Sequence, residues 1–259
     1  MTQGNRSLPR WRRWMKKRSS RSGKRKRPSE HVRHLLDLIG HLRIDVVIDV
    51  GANEGQFGHG LREAGYTGRI VSFEPSPLAF GSLERTTASD PLWDCHPLAL
   101  GRRSERHTLS ETRSTQLSSL RPLNAFAADV FAQQAETTAR IELETRSLDA
   151  VWEEMIACGS APRGFLKLDT QGFDLEVFHG ARARLDSIWG LQSELSISPL
   201  YEGMPDYLET LALYRSAGFE VTGFFPIFRD ESTQILGEVD CTLAKPVVGE
   251  RSRRIEIRD

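Results

Sequence analysis

Residues 46–57, Val-Val-Ile-Asp49-Val-Gly51-Ala52-Asn53-Glu-Gly55-Gln-Phe57, run from an apolar stretch directly into a glycine turn and then into a polar, helix-forming one. A strand that feeds a helix through such a turn can lay its backbone against a nucleotide: Gly51 permits the sharp bend and Gly55 close contact where the helix starts. A dinucleotide fingerprint requires glycine at the third position of this turn, where Asn53 stands, so a pyrophosphate would fit poorly. A second apolar run, Ile70-Val-Ser-Phe-Glu74-Pro75-Ser76, places an acid 23 residues after Gly51. An acid at that point can accept hydrogen bonds from both hydroxyls of a ribose. A ribose without a phosphate points to S-adenosylmethionine, its amino-acid moiety lying over Asp49 and Gly51. The candidate cofactor contacts are Asp49, Gly51, Ala52, Asn53, Gly55, Phe57, Glu74, Pro75 and Ser76. The plain structural alternative is a tight turn followed by a solvated acid at a strand end.

A second group of residues could act on an acceptor. In Phe165-Leu-Lys167-Leu-Asp169-Thr-Gln171-Gly172 the alternation of a strand sends Lys167 and Asp169 to one face. They arrive at the strand's carboxyl end, where open α/β sheets bind ligands. Asp169 is the candidate base for an acceptor hydroxyl, with Lys167 and Glu194 assisting. Glu194 interrupts an apolar run, and a lone carboxylate there needs a partner or a cation. With Asp169 and Asp174 it could hold Mg²⁺; alternatively it pairs with Lys167. The turn-rich residues 198–205 are placed to cover an acceptor, and Ser114, Thr115, Ser118 and Ser119 are candidate contacts to cofactor or sugar. The seven histidines have no metal-ligand spacing; His179 falls near a helix end, where the dipole favours an imidazolium.

Taken in order, Asp49-Val-Gly-Ala-Asn53-x-Gly55, Phe73-Glu74-Pro75 and Leu166-Lys-Leu-Asp169-x-x-Gly172 resemble the successive motifs of FkbM-type methyltransferases, over roughly residues 45–245. The resemblance implies a Rossmann-like class I methyltransferase fold and O-methylation, frequently of a sugar hydroxyl in a glycolipid, glycopeptide or polyketide. The family pattern carries an acid before the last glycine, where this chain has Gln171; Asp174 keeps the following acid.

These residues need a scaffold of alternating strands and helices, and the pattern supplies one. Strands are predicted at 45–50, 69–73, 93–97, 165–169 and 191–197, and helices at 29–39, 56–64, 77–89, 148–157, 173–179 and 206–217. The expected class is α/β, with a mostly parallel central sheet and an antiparallel C-terminal edge from runs 219–225 and 239–243. Residues 102–140 break the rhythm and read as an insertion beside the site, polar first and apolar from 124 to 135.

The formal net charge of zero conceals an asymmetry. Residues 1–29 hold twelve Lys and Arg and no acid, so the body is acidic. The expected organisation is a basic tail over 1–28, a methyltransferase domain over 29–247 and a charged tail over 248–259. A like-charged tail should be disordered alone and is a candidate tether to anionic membrane surfaces or nucleic acid, with Trp11 and Trp14 as anchors. No apolar stretch follows the basic start, so a cytoplasmic location, peripheral to membranes through the tail, is expected. Cys95, Cys158 and Cys241 are expected as reduced thiols. Two rival readings use the tail: methylation of RNA, and a non-catalytic cofactor-binding protein docked to membranes. The insertion and the final strands are candidate faces for a homodimer.

Overall fold

The computed structural model describes residues 28–131, 133–157, 162–229 and 233–247. The basic segment with Trp11 and Trp14, the C-terminal charged tail and Cys158 lie outside the described residues.

Helix α1 (Glu30–Leu42) starts where Ser29 accepts a hydrogen bond from the Val32 amide at 3.2 Å. The chain then alternates β1 (Val46–Val50), α2 (Gln56–Glu63), β2 (Arg69–Phe73), α3 (Pro77–Thr87) and β3 (Trp93–His96). After the insertion come α5 (Leu148–Val151), β7 (Gly164–Leu168), α6 (Asp174–Gly180), β8 (Ile188–Ser196), α7 (Tyr207–Ser216), β9 (Glu220–Arg229) and β10 (Leu236–Ala244). The strands form one sheet in the order β3-β2-β1-β7-β8-β10-β9. Pairing is parallel from β3 through β8, while β10 runs antiparallel to both β8 and β9. This is the expected Rossmann-like methyltransferase architecture, with the antiparallel pair at its C-terminal edge.

Alternation along the central strands divides the core into two layers. Val46, Ile48, Val50, Leu166 and Leu168 pack with α5, α6 and α7 through Leu148, Val177, Phe178 and Tyr214. Val47, Ile70 and Phe165 pack on the opposite side with Leu35, Leu38, Ile39, Leu61 and Leu83 of α1, α2 and α3. Asp49 and Lys167 share the second face, because β1 and β7 align them as direct partners in the register.

The insertion differs from expectation. Its apolar half contains one helix, α4 (Ala125–Phe131), but two unpredicted strands flank it, β5 (Arg106–Thr112) and β6 (Thr137–Arg146). They pair antiparallel and join β4 (Ala99–Leu100) in a separate three-stranded sheet. β6 carries the period-two pattern of a strand, Ala139, Ile141 and Leu143 alternating with Arg140, Glu142 and Glu144 and lying half-buried, so its signal stands in the sequence and the insertion reading passed over it. The helix expected over 148–157 holds α geometry for four residues and then widens into a π turn over Trp152–Ile156, closed by Ala157 N–H to the Trp152 carbonyl at 2.8 Å. β9 continues past its expected end through Pro226, tolerated because β9 is an edge strand.

Candidate active site

The carboxyl ends of β1, β2, β7 and β8 open into a cavity of about 360 Å³. At one end lies the glycine turn. Gly51, Asn53 and Gly55 all have positive φ (75°, 50° and 88°), and the Gly51 and Ala52 amides both donate to the Phe73 carbonyl. Glu74, buried at the end of β2, accepts from the Asn53 amide through Oε2 and from the Ser76 amide through Oε1, each at 2.8 Å. A carboxylate oxygen has two lone pairs, so each keeps capacity for another donor from the cavity. Burial pushes the Glu74 carboxyl up to about 7 against the pull of those two amides and of Lys167.

Of the candidate cofactor contacts, Gly51, Ala52, Asn53, Phe57, Glu74 and Pro75 line the cavity. Three other predicted cofactor residues stand behind its wall. Asp49 is fully buried and pairs with Lys167 at 3.0 Å. Gly55 begins α2, where an added Cβ would meet Leu83 at 3.0 Å. Ser76 caps α3 by accepting from the Ala79 amide, and its hydroxyl bonds Glu111. They shape the turn without lining the ligand space.

Lys167 is also a structural clamp. Its ammonium lies 3.0 Å from Asp49, 3.3 Å from Asp169 and 2.9 Å from the Gly51 carbonyl, which accepts a hydrogen bond from it. Burial opposes the charge, but Asp169 and Asp49 outweigh that and hold it protonated more firmly than a free lysine. With three acceptors occupied, Lys167 cannot take a proton from an acceptor, and it is nearly inaccessible to one. Its alternative pairing with Glu194 is not present among these contacts.

Asp169 and Glu194 do face the cavity. The Asp169 side chain is 37% exposed, and although burial alone would raise its pKa, Lys167 and then bonds from Glu194 and Gln171 lower it. Glu194 is raised well above the usual carboxylate range by burial and by the charges of Asp169, Glu238 and Asp240. The last two come from β10, whose register sets Asp240 directly opposite Glu194 and Glu238 opposite Ser196. Sequence reasoning passed over Glu238 and Asp240, since only strand pairing brings them here. It also passed over Ser29 and His31 of the α1 start and Phe228 of β9, which complete the wall.

Gln171 joins the carboxylate pair. Its amide nitrogen donates to Asp169 Oδ1 at 3.0 Å and to Glu194 Oε2 at 2.7 Å, while its oxygen accepts from the Tyr201 hydroxyl at 2.7 Å. The backbone there is left-handed (φ 53°), and its carbonyl accepts from Ser119 of the insertion at 2.7 Å. Tyr201 belongs to the turn-rich stretch expected to cover an acceptor, and Leu200 and Tyr201 pack with Leu117, Ala127 and Phe131.

The three-carboxylate Mg²⁺ arrangement does not form. Asp174 turns away, accepting from the Thr170 amide at 2.8 Å and hydroxyl at 2.5 Å and from the Ser193 hydroxyl at 2.8 Å. Among the described residues no group of three or more His, Cys, Asp or Glu side chains is arranged to hold a metal ion. His179 also departs from expectation: burial first, then Arg102, lowers its pKa, which offsets the helix dipole. Thr115 reaches the cofactor turn, donating to Asn53 Oδ1 at 3.0 Å. Cys95 and Cys241 are free thiols. No helix among the described residues is long and apolar enough to cross a membrane.

Comparison with known proteins shows the family. The methyltransferase FkbM domain matches residues 49–221. The chain is 26% identical to methyltransferase sdnD of Sordaria araneosa over 209 residues, 73% of this chain and 79% of that protein. Among solved structures it is similar to Aeropyrum pernix fibrillarin with natively bound S-adenosyl-L-methionine (11% identity, TM-score 0.43, 77% of this chain and 66% of that one). It is likewise similar to TehB from Haemophilus influenzae (9%, TM-score 0.44, 82% and 61%). The chain belongs to the FkbM methyltransferase family and is an S-adenosylmethionine-dependent methyltransferase.

Proposed function

We propose that the protein methylates a hydroxyl group, carried by a sugar of a glycolipid or other glycosylated natural product. One observation carries this reading: the Asp169 carboxylate, kept ionised by Lys167, opens into the same cavity as the glycine turn and Glu74. An alcohol is a weak nucleophile until its proton leaves, and a carboxylate within hydrogen-bond reach adds on the order of 10²- to 10⁴-fold. The acceptor half of the cavity supports a polyhydroxylated ligand. Asp169, Glu194, Glu238 and Asp240 offer acceptors for hydroxyl donors, and Phe131 and Phe228 offer apolar surface for the ring's carbon face.

Bound S-adenosylmethionine would supply a sulfonium methyl group whose departure leaves a neutral thioether. Glu74 would hold the ribose hydroxyls, while Gly51, Ala52, Asn53 and Phe57 enclose the remainder. Asp169 orients the acceptor hydroxyl and would take its proton as that oxygen accepted the methyl group and the thioether left. Glu194 hydrogen-bonds a neighbouring hydroxyl. Lys167 acts at one remove, by keeping Asp169 charged and the turn closed. Alignment of the oxygen with the methyl group provides most of the acceleration.

The test is turnover of S-adenosylmethionine on a panel of glycosylated hydroxyl acceptors, followed as S-adenosylhomocysteine release, for wild type and Asp169→Asn. The variant should bind S-adenosylhomocysteine normally and lose about 10²-fold or more in kcat. Undiminished turnover with normal binding would remove Asp169 from the mechanism.

A further inference from the structure

The bridge between Asp169 and Glu194 is unusual in what makes it. Two carboxyl groups on adjacent strand ends meet here, an arrangement that ordinarily calls for a cation, while Glu238 and Asp240 beside them accept hydrogen bonds from Ser196 and Gln192. Among the described residues lining the cavity, Lys167 is the one lysine or arginine, and its ammonium is held by Asp49, Asp169 and the Gly51 carbonyl. The position between Asp169 and Glu194 is filled instead by the Gln171 carboxamide nitrogen, at 3.0 and 2.7 Å.

Every polar atom of that amide is used. An amide nitrogen has two hydrogens, and they go to two different carboxylates. The amide oxygen faces Tyr201, and the reverse orientation would set it against two carboxyl groups, so charge dictates which way the amide points. The main chain is equally held: Ser119 binds the Gln171 carbonyl, and an added Cβ on neighbouring Gly172 would lie 3.2 Å from the Tyr201 ring. Asp174, the remaining nearby acid, is consumed by Thr170 and Ser193.

We infer that Gln171 is a positioning residue that stands in for a divalent cation: its amide ties Asp169 to Glu194, so the acceptor site of this chain operates without a metal. Hard cations such as Mg²⁺ demand several oxygen ligands, preferably charged. Here two carboxylate oxygens are turned onto a neutral N–H donor whose hydrogens a cation would have to displace. A carboxylate in place of that amide would reverse the situation, converging three acids with no internal donor between them.

The inference depends on the methyl-transfer reading only for its consequence in turnover; metal binding is read without any substrate. Mn²⁺ would be titrated into wild type, Glu194→Gln, Gln171→Glu and the Gln171→Glu, Glu194→Gln double variant by electron paramagnetic resonance, with S-adenosylhomocysteine binding followed in parallel to report an intact fold. Wild type should show no saturable Mn²⁺ binding that Glu194→Gln removes. Gln171→Glu should acquire saturable Mn²⁺ binding, about tenfold or more tighter than any residual binding to wild type, and the double variant should lose that gain. If Gln171→Glu fails to fold, Gln171→Met, equally long but without donors, must expose the same carboxyl pair to Mn²⁺. A wild-type site that binds Mn²⁺ through Glu194, or folded Gln171 variants that gain none, would overturn the inference. Loss of turnover in wild type on treatment with a chelator would do the same, whereas absence of turnover on any hydroxyl acceptor would overturn the proposed function and leave the binding result standing.

Discussion

A Cβ on Gly51 would lie 1.9 Å from the carbonyl oxygen of Asp169, so the cofactor turn and the residue offered to the acceptor are packed backbone against backbone. The same junction is stitched by Lys167, which binds the Gly51 carbonyl and Asp169 together. Cofactor and acceptor halves of the site are therefore one mechanical unit.

Gly51→Ala should damage both halves. Its φ of 75° is unfavourable for any residue with a side chain, and the contact with Asp169 is with backbone that cannot swing aside. Strain and overpacking together should cost about 2–5 kcal/mol. Urea denaturation should show this loss, and calorimetry should find S-adenosylhomocysteine binding abolished; unchanged values for both would mean the turn is not seated against Asp169.

Lys167→Met removes the one cation that, among the described residues, pairs with Asp49, which is wholly buried. Breaking a buried pair from one side costs about 3–5 kcal/mol. Asp169 would also lose the neighbour that keeps it ionised, so its pKa should rise and the acid limb of the turnover profile should move to higher pH. Denaturant midpoints and the pH dependence of kcat/KM report the two effects separately. A variant as stable as wild type, with an unshifted profile, would contradict the clamp.

Glu74 should make cofactor affinity depend on pH near neutrality. Its carboxyl is pushed up to about 7 by burial, above the ordinary 4.5, so the fold prefers the protonated form. The resulting contribution to stability is complete below the unfolded pKa and disappears as pH rises through about 7. A ligand whose ribose hydroxyls need the carboxylate has the opposite dependence. S-Adenosylhomocysteine should bind progressively more weakly below pH 7, towards a limit of about tenfold per unit, and Glu74→Gln should bind weakly with a flat profile. Calorimetric titrations between pH 5.5 and 8, in steps of about half a unit, distinguish these outcomes. Equal slopes for wild type and variant would assign the dependence to another group.

Much of this protein could be read from local residues alone. The five parallel strands, the Ser29 cap, the glycine turn and the acid at the end of the second strand all rest on near-neighbour patterns: apolar runs, period-two alternation, and a backbone bend that glycine alone makes easily. Such signals survive in the sequence because the physics that creates them acts over a few residues. Strands β5 and β6 escaped the sequence reading although β6 marks itself by alternation, Ala139, Ile141 and Leu143 against Arg140, Glu142 and Glu144, while β5 buries Leu109 and Glu111 on one face with little apolar content to show it.

The roles of the polar residues were decided elsewhere. Asp49 and Lys167 are 118 positions apart, and only the β1–β7 register makes them a pair and turns Lys167 from the acceptor to the glycine turn. Glu238 and Asp240 reach the acceptor wall through antiparallel pairing with β8, and Asp174 leaves it because Thr170 and Ser193 offer it better-placed donors. Gln171, which by sequence is a departure from a family pattern, becomes a bridge once Asp169, Glu194 and Tyr201 surround it. Composition and spacing determined that a nucleoside-binding turn and a group of carboxyls exist on an α/β sheet. Which carboxyl is charged, which is neutralised and which is simply structural depends on distances of about 3 Å between groups far apart in the chain, and the tertiary fold alone sets those distances.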